Sequence, residues 1–174
     1  MTGPAAARGP VRGDLAEVFR REYPRVVTVA ARVLGSRDSA EDVAQEVFLS
    51  FGRSAVPAAE AGGWLSVAAA HTALNVLRSG RRRAAREETA ATAEDPVVTD
   101  IVEVVVTREE RSQVRAALAR LPRTQAVALV LRHSGMSYAD VAAALDLSPT
   151  SVGTTVRRAE TALRKELNRH ASSV

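Results

Sequence analysis

The sequence predicts an all-helical protein of two small domains joined by an acidic linker, with a helix-turn-helix as the C-terminal domain. Apolar residues recur at spacings of three and four along most of the 174-residue chain, which is the repeat of one helical face. Charge changes from +4 over residues 1–83 to −6 over 84–110 and +6 over 111–174. We therefore expect a tail over 1–13, an N-terminal domain over 14–83, a linker over 84–95 and a C-terminal domain over 96–170.

Composition excludes several classes of protein. Apolar residues make up 46% of the chain and aromatic residues 3%, so the core must be built from Val, Leu and Ala. The absence of cysteine excludes disulfides, thiolate catalysis and cysteine-ligated zinc. No apolar run reaches the roughly 20 residues of a membrane span, and the Gly-, Pro- and Ala-rich tail resembles no signal peptide. We expect a cytoplasmic protein without membrane insertion, and a disordered tail.

Three helices are predicted for the N-terminal domain, over Asp14 to Leu34, Ser39 to Arg53 and Trp64 to Arg83. Pro24 is expected to kink or split the first, and Ser54 to Gly63 forms a loop before the third. The third helix ends in a basic run. The expected inner faces hold Leu15, Val18, Phe19, Val26, Val29 and Val33, then Val43, Val47, Phe48 and Phe51, then Leu65, Ala69, Val76 and Leu77.

The second half begins after a linker rich in Ala, Thr and Glu. Asp95 and Pro96 are suited to start a helix, as cap and first-turn residue. The run Val97 to Val106 is rich in β-branched residues, but we predict a helix because no partner strand exists elsewhere in the chain. A clearer helix follows from Arg108, with Val114, Leu118 and Leu121 on its apolar side, and Pro122 closes it.

The stretch from Leu121 to Leu167 predicts a helix, a tight turn and a second helix. Ser137 and Asp140 form a Ser-x-x-acid helix start, and the helix should stop at Asp146-Leu147. Ser148 can cap the next helix, whose first turn accepts Pro149 because proline lacks only an N–H that would be unpaired there. Its buried stripe is expected to be Val152, Val156, Ala159, Leu163 and Leu167.

The other side of this last helix carries small hydroxyls and arginines. Such side chains can contact base edges and phosphates when a second helix lies in the major groove. The ordinary alternative is the solvated face of an amphipathic helix, and the pattern alone leaves both open. The residues on this face are Thr150, Ser151, Thr154, Arg157 and Arg158.

Three segments together resemble the extracytoplasmic-function (ECF) group of bacterial RNA polymerase sigma factors. They are SAEDVAQEVFLSFGR at 39–53, GWLSVAAAHTALNVLRSGRRR at 63–83, and the helix-turn-helix introduced by LPRTQAVALVLR. They occur in the family's order and cover about Leu15 to Leu167. The resemblance implies a protein without an active site or cofactor. Such a protein binds core RNA polymerase, directs it to promoter DNA and assists melting.

The resemblance also implies roles for individual residues. Asp42, Gln45 and Glu46 lie on one side of the second helix and match the family's polymerase-docking motif; acids near a helix start also simply suit its dipole. Trp64 is expected to be mainly structural. The minus-ten side would be read by Asn75, which helps to hold an extruded base, and by phosphate contacts of Arg78, Arg81, Arg82 and Arg83. A solvated basic helix end is the alternative for these arginines.

Some features depart from the family or stay open. Gly153 and Thr155 occupy positions at which basic residues are common in the family. Their replacement puts the affinity of the last helix for the minus-thirty-five element in doubt. Many members are held inactive by an anti-sigma protein, so such a partner is open here. The acidic linker either enters the polymerase near the RNA exit path or is an ordinary charged linker.

Two other functions stay open beside the sigma prediction: a stand-alone helix-turn-helix regulator, and a helical protein that sequesters a partner. The three scattered histidines give no metal or catalytic spacing, so we predict no metal site and no enzyme.

Overall fold

A computed structural model describes residues 12–86 and 108–171, and all the regular secondary structure in these two ranges is helical. This confirms the predicted fold class. The predicted helix over Val97 to Val106, the Asp95-Pro96 start and most of the acidic linker lie outside the described residues. The helices are α1 (Leu15–Leu34), α2 (Arg37–Gly52), α3 (Ala61–Arg86), α4 (Arg108–Arg120), α5 (Arg123–His133), α6 (Tyr138–Leu145) and α7 (Pro149–Ala171).

Helices α1, α2 and α3 pack into an N-terminal bundle around valines and alanines. The predicted apolar face of α2 is confirmed, because all four of its members are buried. Helix α1 runs through Pro24 without being split, since buried valines on both sides of Pro24 hold it against the bundle. It ends at Gly35, whose φ of 70° is a left-handed conformation that glycine adopts at little cost. Ring contacts between Phe51 and Trp64, 5.8 Å between centroids, join α2 to α3.

Three details of the predicted N-terminal domain were wrong. Helix α3 begins at Ala61, because Gly62 and Gly63 belong to its first turn and not to the preceding loop. Their lack of a side chain allows close packing: a Cβ on Gly62 would lie 3.1 Å from a carboxylate oxygen of Glu22. Phe19 and Val76 are 39% and 45% exposed and are not core residues. Phe19 instead stacks at the surface on the rings of Tyr23 and Phe48, and α3 buries Ala73 and Leu74 in place of Val76.

Helices α4 to α7 form the C-terminal domain, and the predicted helix-turn-helix is confirmed as α6 and α7. Ser137 and Asp140 make a capping box at the start of α6. Asp146 ends α6 with a φ of 53°, an αL conformation that a short polar side chain tolerates. The amide of Ser151 donates to the hydroxyl of Ser148, 3.2 Å away, so Ser148 caps α7 as predicted. Within the predicted stripe of α7, Val152, Val156 and Ala159 are fully buried, while Leu163 and Leu167 are half-buried.

The two helical domains are packed against each other in this conformation. Helix α3 contacts α4, α5 and α6, and α1 contacts α4 and α5. The buried apolar residues of both domains form one continuous cluster. At its edge, a Cβ on Gly63 of α3 would lie 3.7 Å from the Cβ of Ala144 of α6. Helix α3 runs to Arg86, three residues past the predicted end of the N-terminal domain; the roles assigned to the two domains stay predictions.

Candidate nucleic-acid interface

The exposed side of α7 is the first candidate surface. Its five predicted contact residues, from Thr150 to Arg158, are all exposed on one face, opposite the buried stripe. The Ser148 hydroxyl lies 2.6 Å from that of Ser151 and 3.1 Å from that of Thr150, which fixes the start of this face. Among the described residues, the guanidinium groups of Arg157 and Arg158 have no hydrogen-bond or ion-pair partner, so they remain available to an external anion.

A groove of about 600 Å³ runs along the same face of α7 toward the start of α5. Sequence reasoning missed Gln125 and Lys165 as members of this surface. The signal for Lys165 was its position seven residues after Arg158, which keeps it on the same helical face. Gln125 could not be found in this way, because a different helix brings it there. The groove is lined by Pro122, Gln125, Thr154, Arg157, Arg158, Thr161, Ala162 and Lys165.

The C-terminal half of α3 is the second candidate surface, and it is partly covered by the C-terminal domain. Arg78 donates from Nε to the carbonyl of Ala119, 3.1 Å away, and from Nη2 to that of Leu121, 2.8 Å away. Arg81 donates to the carbonyl of Ala116. Both side chains are half-buried, and burial lowers the pKa of Arg81. Arg78 and Arg81, which the sequence predicts to contact phosphates, therefore bind α4 and its C-terminal turn in this conformation.

Asn75 lies beside these arginines and also has a partner from the other domain. Its Oδ1 accepts a hydrogen bond from Nη2 of Arg123, 2.6 Å away. The other terminal nitrogen of Arg123 lies 3.1 Å from Nδ1 of His71, which must accept the bond because a guanidinium has only donors. Burial, followed by the positive charges of Arg123 and Arg78, lowers the pKa of His71. Arg123, which sequence reasoning missed, thus joins the start of α5 to the middle of α3.

Arg82 and Arg83 differ from the other members of the basic run because they are exposed. Within residues 12–86 and 108–171, the hydrogen-bond partner of Arg82 is the hydroxyl of Ser79 on its own helix, 3.3 Å away. The predicted minus-ten set is therefore divided: Arg78 and Arg81 are half-buried against the C-terminal domain, whereas Arg82 and Arg83 are exposed. Asn75 is exposed as well, but it is hydrogen-bonded to Arg123.

The exposed side of α2 is a third surface, and its charge is opposite. Asp42, Gln45 and Glu46 are exposed on one face, and none has a hydrogen-bond or ion-pair partner among the described residues. Leu49 lies on the same face one turn later and is 63% exposed, more than any other large apolar side chain described. Sequence reasoning missed Leu49, although its spacing of seven from Asp42 places it on the same face. An exposed apolar side chain surrounded by acids suits a protein partner with an apolar contact and basic residues around it.

Two family models match the chain. Residues 18–83 match the model described as Sigma-70 region 2, and residues 111–163 match the one described as Sigma-70, region 4. Together the matches take in about two thirds of the chain, in the order that the sequence motifs predicted. The chain belongs to the sigma-70 family. The region 2 match holds the candidate residues of α2 and α3, and the region 4 match holds those at the start of α7.

Individual sigma factors support the predicted resemblance to the ECF group, which is thereby confirmed. The chain is 31% identical over 154 residues to the ECF RNA polymerase sigma factor SigJ of Mycobacterium tuberculosis, a match that covers 83% of this chain and 48% of SigJ. It is 31% identical over 168 residues to the ECF RNA polymerase sigma factor SigE of Mycolicibacterium smegmatis, covering 90% and 62%. The chain thus spans about half to three fifths of the length of these relatives.

A solved structure shares the fold of this sigma-70 family chain. It is the sigma factor RpoE of Bartonella quintana, determined in complex with the anti-sigma factor NepR. The TM-score is 0.52 at 20% identity, and the match covers 90% of this chain and 98% of the other. Within residues 12–86 and 108–171, no helix of this chain is long and apolar enough to cross a membrane. The same residues hold no group of three or more potential metal ligands.

Proposed function

We propose that this sigma-70 family chain binds core RNA polymerase, directs it to specific promoters and assists promoter melting. The observation that carries the proposal is the separation of two unlike surfaces on one chain: an acidic face on α2 within region 2 and an arginine- and hydroxyl-rich face on α7 within region 4. A protein that bridges a protein partner and DNA needs two such surfaces. An anti-sigma partner stays a prediction from the resemblance.

The α2 face is the proposed contact with polymerase. Asp42 and Glu46 supply negative charge that would pair with exposed basic residues of a polymerase helix, and such complementarity accelerates association and fixes register. Leu49 adds an apolar centre, and burying a leucine side chain is worth roughly 1.5–3 kcal/mol. The acids around Leu49 then form a polar rim, which is the usual anatomy of a protein–protein interface.

The α7 face is the proposed reader of the minus-thirty-five element. Thr150, Ser151 and Thr154 lie in the first two turns of the second helix of a helix-turn-helix, which is the part that reaches base edges in the major groove. Arg157 and Arg158 follow one turn later, where they can contact phosphates or guanine. Lys165, at the far end of the groove, would extend the phosphate contacts along the backbone.

The C-terminal half of α3 is the proposed minus-ten surface. Its arginines neutralise phosphates of the single strand, and the amide of Asn75 offers both a donor and an acceptor to an extruded base. Extrusion costs a few kcal/mol, so compensating contacts must be available at this surface when the strand is bound. In the conformation described above, Arg82 and Arg83 are accessible without rearrangement.

Binding to sigma-free core polymerase tests the first step of this proposal. We expect Asp42→Arg to weaken binding by at least about tenfold, because it puts a like charge against a basic partner. Glu60→Arg is the matched control, since Glu60 is also exposed and the charge change is identical, but it lies in the turn before α3. Equal affinities of the two variants, with both retaining helical circular dichroism, would remove the α2 face from the polymerase site.

Permanganate reactivity of unpaired thymines tests the melting step. Templates selected by transcription with the wild-type chain should become reactive around the start site only when both the chain and core polymerase are present. A template that stays double-stranded in the complete complex would contradict melting. Tight promoter binding by the chain alone, without any effect of polymerase, would favour the stand-alone regulator.

A further inference from the structure

Two arginines from earlier in the chain hold the backbone of the loop between α2 and α3. The loop covers residues 53–60, from the end of α2 to the start of α3. Arg12 donates from Nη1 to the carbonyl of Val56, 2.7 Å away. Arg21 of α1 donates from Nη2 to the carbonyl of Ala58, 3.0 Å away. The loop is therefore fixed at two backbone positions by side chains that precede it by 44 and 37 residues.

The guanidinium of Arg12 contacts several parts of the N-terminal domain at once. Its Nη2 donates to Oδ2 of Asp14, 2.7 Å away, and this ion pair orients the side chain. Its Cζ lies 4.2 Å from the ring centroid of Phe51, which is a cation–π contact. Phe51 is fully buried and contacts the ring of Trp64 in the first turn of α3. Arg12 thus joins the segment before α1 to the end of α2, to the loop and, through Phe51, to the start of α3.

Arg21 is linked to the start of α3 through its neighbour. Its Nε donates to Oε1 of Glu22, 2.8 Å away, and the Glu22 side chain is 12% exposed. The Glu22 carboxylate approaches the first turn of α3, where a Cβ on Gly62 would lie 3.1 Å from Oε2. The helix dipole favours a carboxylate at this end of a helix. The Arg21–Glu22 pair therefore holds the loop and the first turn of α3 together.

The composition of the loop explains why it needs contacts from outside. Its five residues from Ala55 to Ala59 are Ala, Val or Pro, whose side chains cannot form hydrogen bonds. Val56 and Ala58 pack against the core, whereas Ala55, Pro57 and Ala59 are exposed. The hydrogen bonds that tie the loop to α1 and to the segment before it therefore come from the two arginines.

We propose that Arg12 and Arg21 are positioning residues for promoter melting: by fixing the loop they hold the start of α3, the helix that carries the minus-ten surface. The inference rests on the proposed function for the role of α3. Asn75 lies about 21 Å from the start of α3 at 1.5 Å per residue, so a tilt of about 3° there moves it by about 1 Å. A displacement of about 1 Å weakens contacts that must compensate for extrusion of a base.

Melting of a duplex template and of a pre-melted template tests the proposal. The pre-melted template carries mismatched bases around the start site, so its strands are already separated. We expect Arg12→Ala to keep wild-type affinity for core polymerase. On the duplex it should lower permanganate reactivity and transcription by at least about threefold, as the loss of a partly exposed charged hydrogen bond implies. On the pre-melted template its transcription should lie within about twofold of wild type. Arg21→Ala should show the same difference between templates.

Three variants separate the loop contact from other effects of charge. Asp14→Asn keeps an acceptor for Arg12 and leaves its contacts with the loop and the Phe51 ring, so it should melt the duplex like wild type. Arg20→Ala should do the same, because Arg20 is an exposed arginine of α1 that donates to the carbonyl of Ala16 in its own helix. Arg12→Lys keeps the charge without the planar fork, and should lie between Arg12→Ala and wild type.

Wild-type melting of the duplex by both Arg12→Ala and Arg21→Ala would overturn the proposal. Equal defects on the two templates, or a loss of polymerase affinity, would also overturn it, because a general loss of structure would account for them. If Arg12→Ala loses helical circular dichroism, Arg12→Lys and Arg21→Ala decide by the same comparison of templates. Absence of transcription by the wild-type chain on both templates rejects the proposed function itself, so the two failures are distinguishable.

Discussion

Gly153 in α7 offers a prediction whose magnitude can be estimated from its surroundings. It lies inside α7, where glycine costs about 1 kcal/mol relative to alanine because of its greater backbone freedom in the unfolded chain. Its φ is not positive, and a Cβ built there meets no atom within 4 Å. Gly153→Ala should therefore stabilise the protein by about 1 kcal/mol, with nothing in the structure to offset the gain.

The assay is thermal or urea unfolding followed by circular dichroism at helical wavelengths. For a chain of this size, 1 kcal/mol raises the melting temperature by about 2–4 °C. Gly135→Ala is the control with the opposite expected sign. A Cβ at Gly135 also meets nothing within 4 Å, but its φ of 91° is unfavourable for alanine by roughly 1–2 kcal/mol.

A loss of stability in Gly153→Ala, or no change beside a clear loss in Gly135→Ala, would refute the reasoning from space and backbone conformation. If the stabilised variant also keeps its promoter affinity, the glycine is not required for close approach of α7 to DNA. A drop in promoter affinity with increased stability would instead assign the glycine to the DNA contact.

Three further predictions concern the cap of α6, the pH dependence of stability at His71 and the binding of promoter DNA by α7. Ser137→Ala removes the hydroxyl that accepts a hydrogen bond from the first-turn amide of Asp140, 3.1 Å away, and should lower the free energy of unfolding by about 1 kcal/mol. Ser137→Asn should retain most of the stability. Equal stability of the wild type and both variants would contradict a role for the cap. The pKa of His71 is lowered by burial and by Arg123 and Arg78, so the folded state favours the neutral ring. Stability should therefore be complete above the ordinary pKa of 6.5 and fall as the pH decreases from about 7 to 5.5, because the unfolded chain binds the proton more tightly. His71→Gln, which keeps an acceptor for Arg123, should show a smaller decrease over this window, and identical pH profiles in urea unfolding would exclude His71 as the cause. Arg157→Ala should reduce the salt dependence of promoter binding by about one unit in the logarithmic slope if the side chain contacts a phosphate; an unchanged slope and unchanged promoter profile would remove it from the interface.

Local features of the sequence predicted the helix-turn-helix well. Ser137 with Asp140, and Ser148 with Pro149, fix helix starts through bonds between residues three apart, so their chemistry is visible in sequence. The buried stripe of α7 follows from the same kind of short-range repeat. These local signals can be read from the sequence without knowing where the rest of the chain lies.

Long-range packing accounts for what the sequence could not predict. The start of α3 at Ala61 depends on close approach of other helices to its glycines, which no local pattern shows. The basic run of α3 was predicted to be one DNA-facing set, but Arg78 and Arg81 contact carbonyls 35 to 43 residues further along the chain. Arg123 lies in the LPRTQAVALVLR segment that introduces the helix-turn-helix, but its role between the domains follows only from its contacts with Asn75 and His71.

Core-dependent transcription tests the central claim most directly. Sigma-free core polymerase would be incubated with the wild-type chain and a pool of genomic DNA fragments, and the 5′ ends of the transcripts would be sequenced. The account predicts discrete 5′ ends that require the chain, share two upstream sequence blocks, and are lost with Asp42→Arg but not with Glu60→Arg. The absence of any chain-dependent 5′ ends, together with tight binding of the chain to DNA in the absence of polymerase, would contradict it.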